Sequence, residues 1–183
     1  MTPQFIIRLL SLLTLFANIS TLIFIGLFLL SKAGFLTKVW KKIMQVLMPR
    51  LTLLTFIISL VATSGSLYLS EIAHFEPCKL CWYQRIFMYP LVFILGVVLL
   101  KKLKDVWQYV LPLSIIGGLI AIYHYYLQIS PEALAPCSTT GFSVSCSERF
   151  FTYFGYITIP WMSFSIFVVI SLFMFLERNK SRR

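Results

Sequence analysis

Four cysteines, arranged as two pairs, are the residues of this 183-residue sequence whose spacing suits covalent chemistry. Cys78 and Cys81 form a C-x-x-C sequence, and Cys137 and Cys146 enclose a short polar segment. The C-x-x-C spacing can form a readily exchanged disulfide and lowers the pKa of one thiol, although zinc sites use the same spacing. The second pair suits thiol exchange and a structural disulfide equally well. The cysteines therefore predict redox chemistry or metal binding.

The elements that must position these cysteines are membrane-spanning helices. The chain is 59% apolar and 12% charged, whereas about 25% of a soluble domain is charged. Its apolar stretches reach or approach the ~18 residues that mark a membrane span. They cover residues 5–30, 51–69, 86–100, 106–128 and 154–176. We therefore predict an all-α integral membrane protein with four or five transmembrane helices.

Basic residues between the apolar stretches predict the orientation of the chain. They cluster in residues 32–50, in residues 101–105 and in the tail, 177–183. All three clusters fall on one side if every stretch spans, and the positive-inside rule places that side in the cytoplasm. The cysteine loops, residues 70–85 and 129–153, are nearly charge-balanced and face outside. The net charge of +10 thus reflects topology, and we expect no nucleic-acid partner.

The third transmembrane helix must begin at the C-x-x-C, before the apolar stretch 86–100. Counted back from Lys101 at about 1.5 Å per residue, a ~30 Å hydrocarbon core ends near Cys81. Pro77 suits a helix start, and the helix dipole there stabilises a thiolate. Arg85 lies four residues after Cys81 on the same helix face, at a depth where charge is unfavourable. We expect Arg85 to stabilise the Cys81 thiolate and to bind a ligand carbonyl, rather than to reach the headgroups.

His124 is predicted to lie near the same outer boundary, level with Arg85, when residues are counted from Lys104. At that depth it could hydrogen-bond a ligand or relay a proton. The alternative is an aromatic girdle at the membrane surface, shared with Tyr123, Tyr125 and Tyr126. Composition alone favours the girdle.

Residues 1–50 are predicted to form a transmembrane helix that starts outside, followed by a basic segment. A cleaved signal peptide is the alternative, but the apolar span exceeds the usual core of ~7–15 residues, and cleavage would leave the basic segment outside. Within residues 32–50, apolar residues, including Trp40, recur at helical spacing between lysines. This pattern predicts an amphipathic helix on the cytoplasmic membrane surface, with a solvated linker as the alternative.

Residues 78–85, Cys-Lys-Leu-Cys-Trp-Tyr-Gln-Arg, resemble the DsbB/BdbC family of membrane disulfide-bond-forming proteins. Further similarities are His124 before Leu127 and Gln128, the second cysteine pair, and the sequence Ile-Pro-Trp-Met-Ser at residues 159–163, which opens the last helix. The resemblance covers about residues 51–176 and implies a four-helix bundle. The amino-terminal helix would be an addition to the family's fold.

The resemblance also implies a role for each cysteine in a bacterial plasma membrane. A soluble thioredoxin-like dithiol oxidase of the DsbA/BdbD kind would attack the Cys137–Cys146 disulfide outside the membrane. Cys137 would form the mixed disulfide with this partner. Electrons would then pass by thiol exchange to Cys78 and Cys81.

A membrane quinone, ubiquinone or menaquinone, is the cofactor that the resemblance implies. Cys81 would face the quinone as a thiolate, and Arg85 would bind and polarise it. His124 and Gln128 would be secondary quinone contacts. The protein would thus be a quinone-dependent thiol oxidase without a metal.

Two alternatives compete with the oxidase. The four cysteines could form an outward zinc site, although the second pair's spacing is long and an oxidising compartment competes for the thiols. A transporter or channel with two structural disulfides would need polar groups at mid-membrane, and the spans contain almost none.

Overall fold

The computed structural model describes residues 3–130 and 145–181, and its regular elements are helices. They are α1 (Pro3–Lys32), α2 (Thr37–Leu47), α3 (Leu51–Leu67), α4 (Lys79–Lys101), α5 (Trp107–Ile129) and α6 (Ile159–Ser181). A 3-10 turn at Met48–Arg50 joins α2 to α3, and a π-helical turn at Tyr68–Ile72 extends α3.

Within the described residues, five helical segments are long and apolar enough to cross a membrane. They are α1, α4, α5, most of α6, and the continuous segment Thr37–Ile72 that contains α3. Many of their large apolar side chains point away from the protein, as Phe16, Phe93 and Leu119 do, because lipid is as apolar as a helix core. The predicted all-α membrane architecture with an extra amino-terminal helix is confirmed.

The last helix begins at Ile159, where the resemblance places it and later than the start of the apolar stretch 154–176. Phe154 and Gly155 have left-handed backbones with φ of 52° and 77°. They form a tight turn closed by backbone hydrogen bonds between Tyr153 and Ile157. α6 therefore begins at Ile159, with Pro160 in its first turn, where a missing N–H leaves no helical bond unmade.

The core of the bundle is formed by α4, α5 and α6. Its buried side chains include Leu91, Leu95, Val110, Phe167, Ile170 and Met174. α5 and α6 pack tightly at Gly117, where an added Cβ would lie 2.3 Å from Cζ of Phe167. Nearby, the hydroxyls of Ser114 and Ser171 share a hydrogen bond of 2.9 Å. Small residues thus let these two membrane helices approach closely.

The two ends of the bundle differ in chemistry. At one end Cys78 and Cys146 pack in a single buried cluster, and we call this the cysteine end. At the other end Thr52 of α3 donates a hydrogen bond to Glu177 of α6 at 3.1 Å. The basic segments that precede α3, follow α4 and end α6 belong to this second end, which we call the basic end. The cysteines and these three basic segments are therefore separated by the length of the bundle.

α1 packs against the bundle through a seam of small and polar residues. Ser11 and Thr14 are buried, and their hydroxyls donate to the carbonyls of Ile7 and Leu10 at 2.8 and 2.9 Å. Such bonds to the preceding turn let a hydroxyl lie in apolar surroundings. On α3, an added Cβ at Gly65 would lie 3.1 Å from Cδ2 of Leu10, so the glycine makes room for α1.

α2 forms as a helix, and none of its side chains is buried. Trp40 packs on Phe24 and Phe28 of α1, with ring centroids 5.1 and 5.4 Å apart. The expected helix is thus present beside the end of α1. Its attachment to the cytoplasmic membrane surface stays a prediction.

Candidate functional site

The C-x-x-C pair forms the amino-terminal turn of α4. Cys78 is the N-cap residue, with an extended backbone at φ −69° and ψ 173°, and its carbonyl accepts a hydrogen bond from the backbone N–H of Trp82 at 3.1 Å. Cys81 follows in the first turn. Both are free thiols, with their sulfurs 3.5 Å apart. The predicted helix start is confirmed, and it places both sulfurs where the helix dipole favours negative charge.

His124 on α5 connects the C-x-x-C to the second cysteine segment. Its Nε2 lies 3.6 Å from Sγ of Cys78 and 3.1 Å from the carbonyl oxygen of Cys146. The side-chain amide of Gln84 donates to its Nδ1 at 2.9 Å. This bond leaves the ring proton on Nε2, directed at Cys78 and Cys146. With 2% of its surface exposed, His124 does not belong to an aromatic girdle.

The surroundings of Cys78 favour its thiolate. A hydrogen bond from the Cys81 thiol is the main cause that lowers the pKa of Cys78. Burial opposes this change, while the hydrogen bond from His124 lowers the pKa further. A lowered pKa favours the Cys78 thiolate, and the thiolate is the form that exchanges disulfides.

Replacing His124 by phenylalanine is expected to raise the pKa of Cys78 by about 1–2 pH units, because a hydrogen bond to a charged group is lost. As the pH is lowered, the thiolate of the reduced variant would then become protonated at a higher pH than that of the protein with His124. Ultraviolet absorbance of the thiolate measures this in a background where Cys137 and Cys146 are alanine. Tyr123→Phe, at an exposed position of the same helix, is the matched control. Identical titrations of the two variants would contradict the assigned role.

Cys146 lies directly against the C-x-x-C. It is disulfide-bonded and 1% exposed, and it packs in one buried cluster with Cys78 and Leu127. Thiol exchange between the two cysteine pairs therefore needs little movement of Cys146. Cys137 lies outside the described residues, and its part in the mixed disulfide stays a prediction.

Gln128 fixes the segment that carries Cys146 to the end of α5. Its side-chain amide donates to the carbonyl of Glu148 at 2.9 Å. Arg149 returns two hydrogen bonds to the backbone carbonyl of Gln128, the one from Nε at 2.9 Å. Gln128 thus holds the second cysteine segment over the bundle, a contact that sequence reasoning did not foresee.

Arg85 is half-buried one turn after Cys81. Its Nε donates to Oγ of Ser66 and a terminal nitrogen donates to the carbonyl of Ser66, both at 3.1 Å. The guanidinium lies over the ring of Trp82, 5.1 Å from its centroid, and Tyr89 donates to the same Ser66 hydroxyl at 3.3 Å. The two bonds to Ser66 use two of the five guanidinium N–H groups. The side chain is therefore oriented while it keeps donors for a ligand.

Cys81 and Arg85 line a mainly apolar cavity of about 140 Å³ between α1, α3, α4 and α6. Its apolar walls include Leu10, Leu13, Val61, Leu69, Met88 and Ile166. A quinone is a flat apolar ring with carbonyl oxygens, and such a ligand needs apolar walls and a few directed donors. The cavity offers both beside a thiol, so its residues fit a quinone.

The predicted quinone contacts separate into two groups. Arg85 lines the cavity together with Cys81, whereas His124 and Gln128 are not among the described residues of its lining. These two instead contact Cys78 and the second cysteine segment. Their predicted contact with a quinone stays a prediction.

Three of the described side chains could hold a metal ion. The ligand atoms of Cys78, Cys81 and His124 all lie within 4.8 Å of one another. Two thiolates and an imidazole are ligands that zinc accepts. The four-cysteine zinc site considered from the sequence does not form in this arrangement, because Cys146 is disulfide-bonded and offers no thiolate.

Sequence reasoning missed Gln84 and Ser66, which orient His124 and Arg85. Gln84 is a buried amide one turn after Cys81, and a polar residue inside an apolar helix was the available signal. Ser66 gave no comparable signal, because a lone serine is common in membrane helices and usually bonds its own backbone.

Comparisons with known proteins identify the family of this chain. The family model described as "Disulfide bond formation protein DsbB" matches residues 49–176. "Disulfide bond formation protein C" of Bacillus subtilis is 46% identical over 128 residues, which are 69% of this chain and 91% of the relative. "Probable disulfide formation protein C 1" of Bacillus anthracis is 44% identical over 123 residues, 67% of this chain and 88% of the relative. No solved structure matches the chain.

The matched region contains the whole site apart from the cavity wall on α1. It includes both cysteine pairs, Arg85 and His124, and it spans α3, α4, α5 and most of α6. α1 and α2 precede it. This multi-pass membrane protein belongs to the DsbB family of disulfide bond formation proteins.

Proposed function

We propose that the chain is a quinone-dependent thiol oxidase of the bacterial plasma membrane. It would reoxidise a soluble thioredoxin-like dithiol oxidase outside the cytoplasm and so support disulfide formation in exported proteins. The position of the C-x-x-C carries the proposal. Cys78 is buried against Cys146, whereas Cys81 lines the apolar cavity with Arg85. The C-x-x-C therefore contacts the second cysteine pair through Cys78 and the apolar cavity through Cys81.

The separation of charge supports an orientation with the cysteine end outside. The basic end would lie in the cytoplasm by the positive-inside rule. The cysteine end would then face an oxidising compartment, where disulfides form and persist.

Thiol exchange would bring electrons to the C-x-x-C in balanced steps. A partner thiolate would attack Cys137, form a mixed disulfide and release Cys146 as a thiolate. The partner's second thiolate would break that bond, which leaves the partner oxidised and Cys137 and Cys146 reduced by two electrons. The Cys146 thiolate would then attack Cys78 in its disulfide with Cys81, and Cys137 would resolve the product. This restores the Cys137–Cys146 disulfide and leaves Cys78 and Cys81 as thiols.

The remaining residues would control protons and orientation. His124 stabilises the Cys78 thiolate through its Nε2 proton, and Gln84 fixes that tautomer. Arg85, held by Ser66, would donate a hydrogen bond to a quinone oxygen. A bound quinone would supply the electron acceptor, taking up two electrons and two protons.

The proposal is tested with the purified protein in detergent, a reduced thioredoxin-like dithiol protein, and ubiquinone or menaquinone. We expect one quinone to be reduced for each dithiol oxidised, with quinone absorbance and free thiols followed together. Failure to reduce either quinone, combined with stoichiometric zinc in the purified protein, would establish the metal-binding alternative instead.

Arg85→Gln is expected to raise the KM for quinone by about 10–100-fold, because a hydrogen bond from a charged group is worth about 1.5–3 kcal/mol. The exchange between the dithiol partner and Cys137–Cys146 should keep its rate, since Arg85 lies on the cavity side. Steady-state kinetics and single-turnover thiol measurements separate the two steps. Arg50→Gln removes a charge at the basic end and serves as control. A KM equal to that of the control would exclude Arg85 from quinone binding.

A further inference from the structure

α1 forms one wall of the cavity that Cys81 and Arg85 line. Leu10, Leu13 and Thr14 of this helix are among the lining residues. The family match begins at residue 49, so α1 (Pro3–Lys32) lies outside it. The cavity of this protein is therefore bounded by a helix outside the matched family region.

The contact between α1 and the bundle is built from complementary residues. α1 packs against α6, and its Leu10 fills the space over Gly65 of α3. Ser11 and Thr14 turn their hydroxyls to the helix's own carbonyls, so their small side chains face the bundle without unpaired donors. Small residues of this kind let membrane helices pack closely. The opposite face of α1, with Leu12 and Phe16 exposed at 53% and 70%, faces lipid.

A bound quinone ring packs differently against a protein helix than against lipid acyl chains. Both are apolar, so the hydrophobic effect does not distinguish them within a membrane. A fixed helix, however, keeps its side chains in contact with the ring, whereas acyl chains must be ordered to do so. α1 should therefore raise the affinity of the site through packing.

We propose that α1 is the lateral wall of the quinone site and that Leu10, Leu13 and Thr14 set the affinity for the quinone ring. The inference rests on the proposed function, because it concerns the same cavity. α1 is a positioning element in this account. It takes no part in thiol exchange.

The test measures quinone binding in the full-length protein with the C-x-x-C oxidised and no dithiol present. Quenching of tryptophan fluorescence by a short-chain ubiquinone analogue gives the Kd without turnover. Thr14→Phe places a larger side chain in the cavity and should raise the Kd about tenfold or more, because overpacked sites bind poorly. Leu12→Phe makes the same kind of change on the lipid face and should leave the Kd within about twofold of wild type.

A second pair of variants tests the same proposal independently of whether Thr14→Phe folds. Leu10→Ala removes a wall side chain, whereas Leu9→Ala removes one from an exposed position of the same helix. We expect only Leu10→Ala to weaken quinone binding. Equal Kd values within both pairs, with wild type binding quinone, would contradict the assignment of α1 as the wall of the site. The proposed function would stay intact. A wild-type protein that binds no quinone would overturn both.

Discussion

Serine in place of Cys81 is expected to reduce dithiol oxidation from many turnovers to one equivalent per protein. The Cys137–Cys146 disulfide would still accept two electrons from the partner. Without Cys81 no disulfide forms with Cys78, so these electrons have no route to the cavity. Quinone reduction should fall to the background rate. The free thiols of the partner, counted at increasing partner excess, give the number of equivalents.

Variants at the second pair should behave differently. Cys146→Ser removes the disulfide that the partner attacks, so even the single equivalent is expected to be lost. Tyr83→Phe changes an exposed side chain beside the C-x-x-C and should turn over like wild type. Sustained turnover by Cys81→Ser would show that electrons leave from the Cys137–Cys146 pair directly, and the proposed transfer through Cys78 and Cys81 would be wrong.

The spans and the start of α4 could be predicted because the membrane imposes them on the sequence. A ~30 Å apolar core requires about 20 residues, so the distance from Lys101 placed the helix start at Cys78 and Cys81. Helical spacing then put Arg85 on the face of Cys81, and both line one cavity. These inferences needed only distances along a single helix.

The packing faces could not be predicted in the same way. A helix in a soluble protein shows its buried face as an apolar stripe, but lipid-facing and core-facing residues of this bundle are equally apolar. Hydropathy therefore does not predict that Leu10 packs over Gly65, and the polar type of Gln84 does not identify His124, 40 positions away, as its partner. Contacts between distant helices require the structure.

Hydropathy does not reveal the left-handed turn at Phe154. The apolar run continues through residues 154–158, so hydropathy alone predicts that the helix includes them. Gly155 carries a positive φ of 77°, a conformation that glycine adopts without steric penalty. A glycine five residues before Pro160 was therefore the available sign of a turn, and apolar composition masked it.

The contact of Gly117 with Phe167 leads to the largest expected loss of stability. An added Cβ at Gly117 would lie 2.3 Å from Cζ of Phe167, whose ring is 1% exposed in the core. Gly117→Ala is expected to be about 1–3 kcal/mol less stable than Gly96→Ala, because an overpacked core forces side chains or backbone to shift. Both variants gain the same helix propensity from alanine, and at Gly96 the added Cβ would lie an ordinary 3.6 Å from Phe56.

Unfolding in mixed micelles at increasing denaturing detergent measures the difference between the two alanine variants. Phe167→Leu in the Gly117→Ala background should restore part of the lost stability, because the smaller side chain removes the clash. Phe167 also lines the cavity that we propose for the quinone. Gly117→Ala should therefore weaken quinone binding as well, through a ring that moves toward the cavity. Equal stability of Gly117→Ala and Gly96→Ala would mean that α5 and α6 separate freely at this point, and the link between their packing and the cavity would be lost.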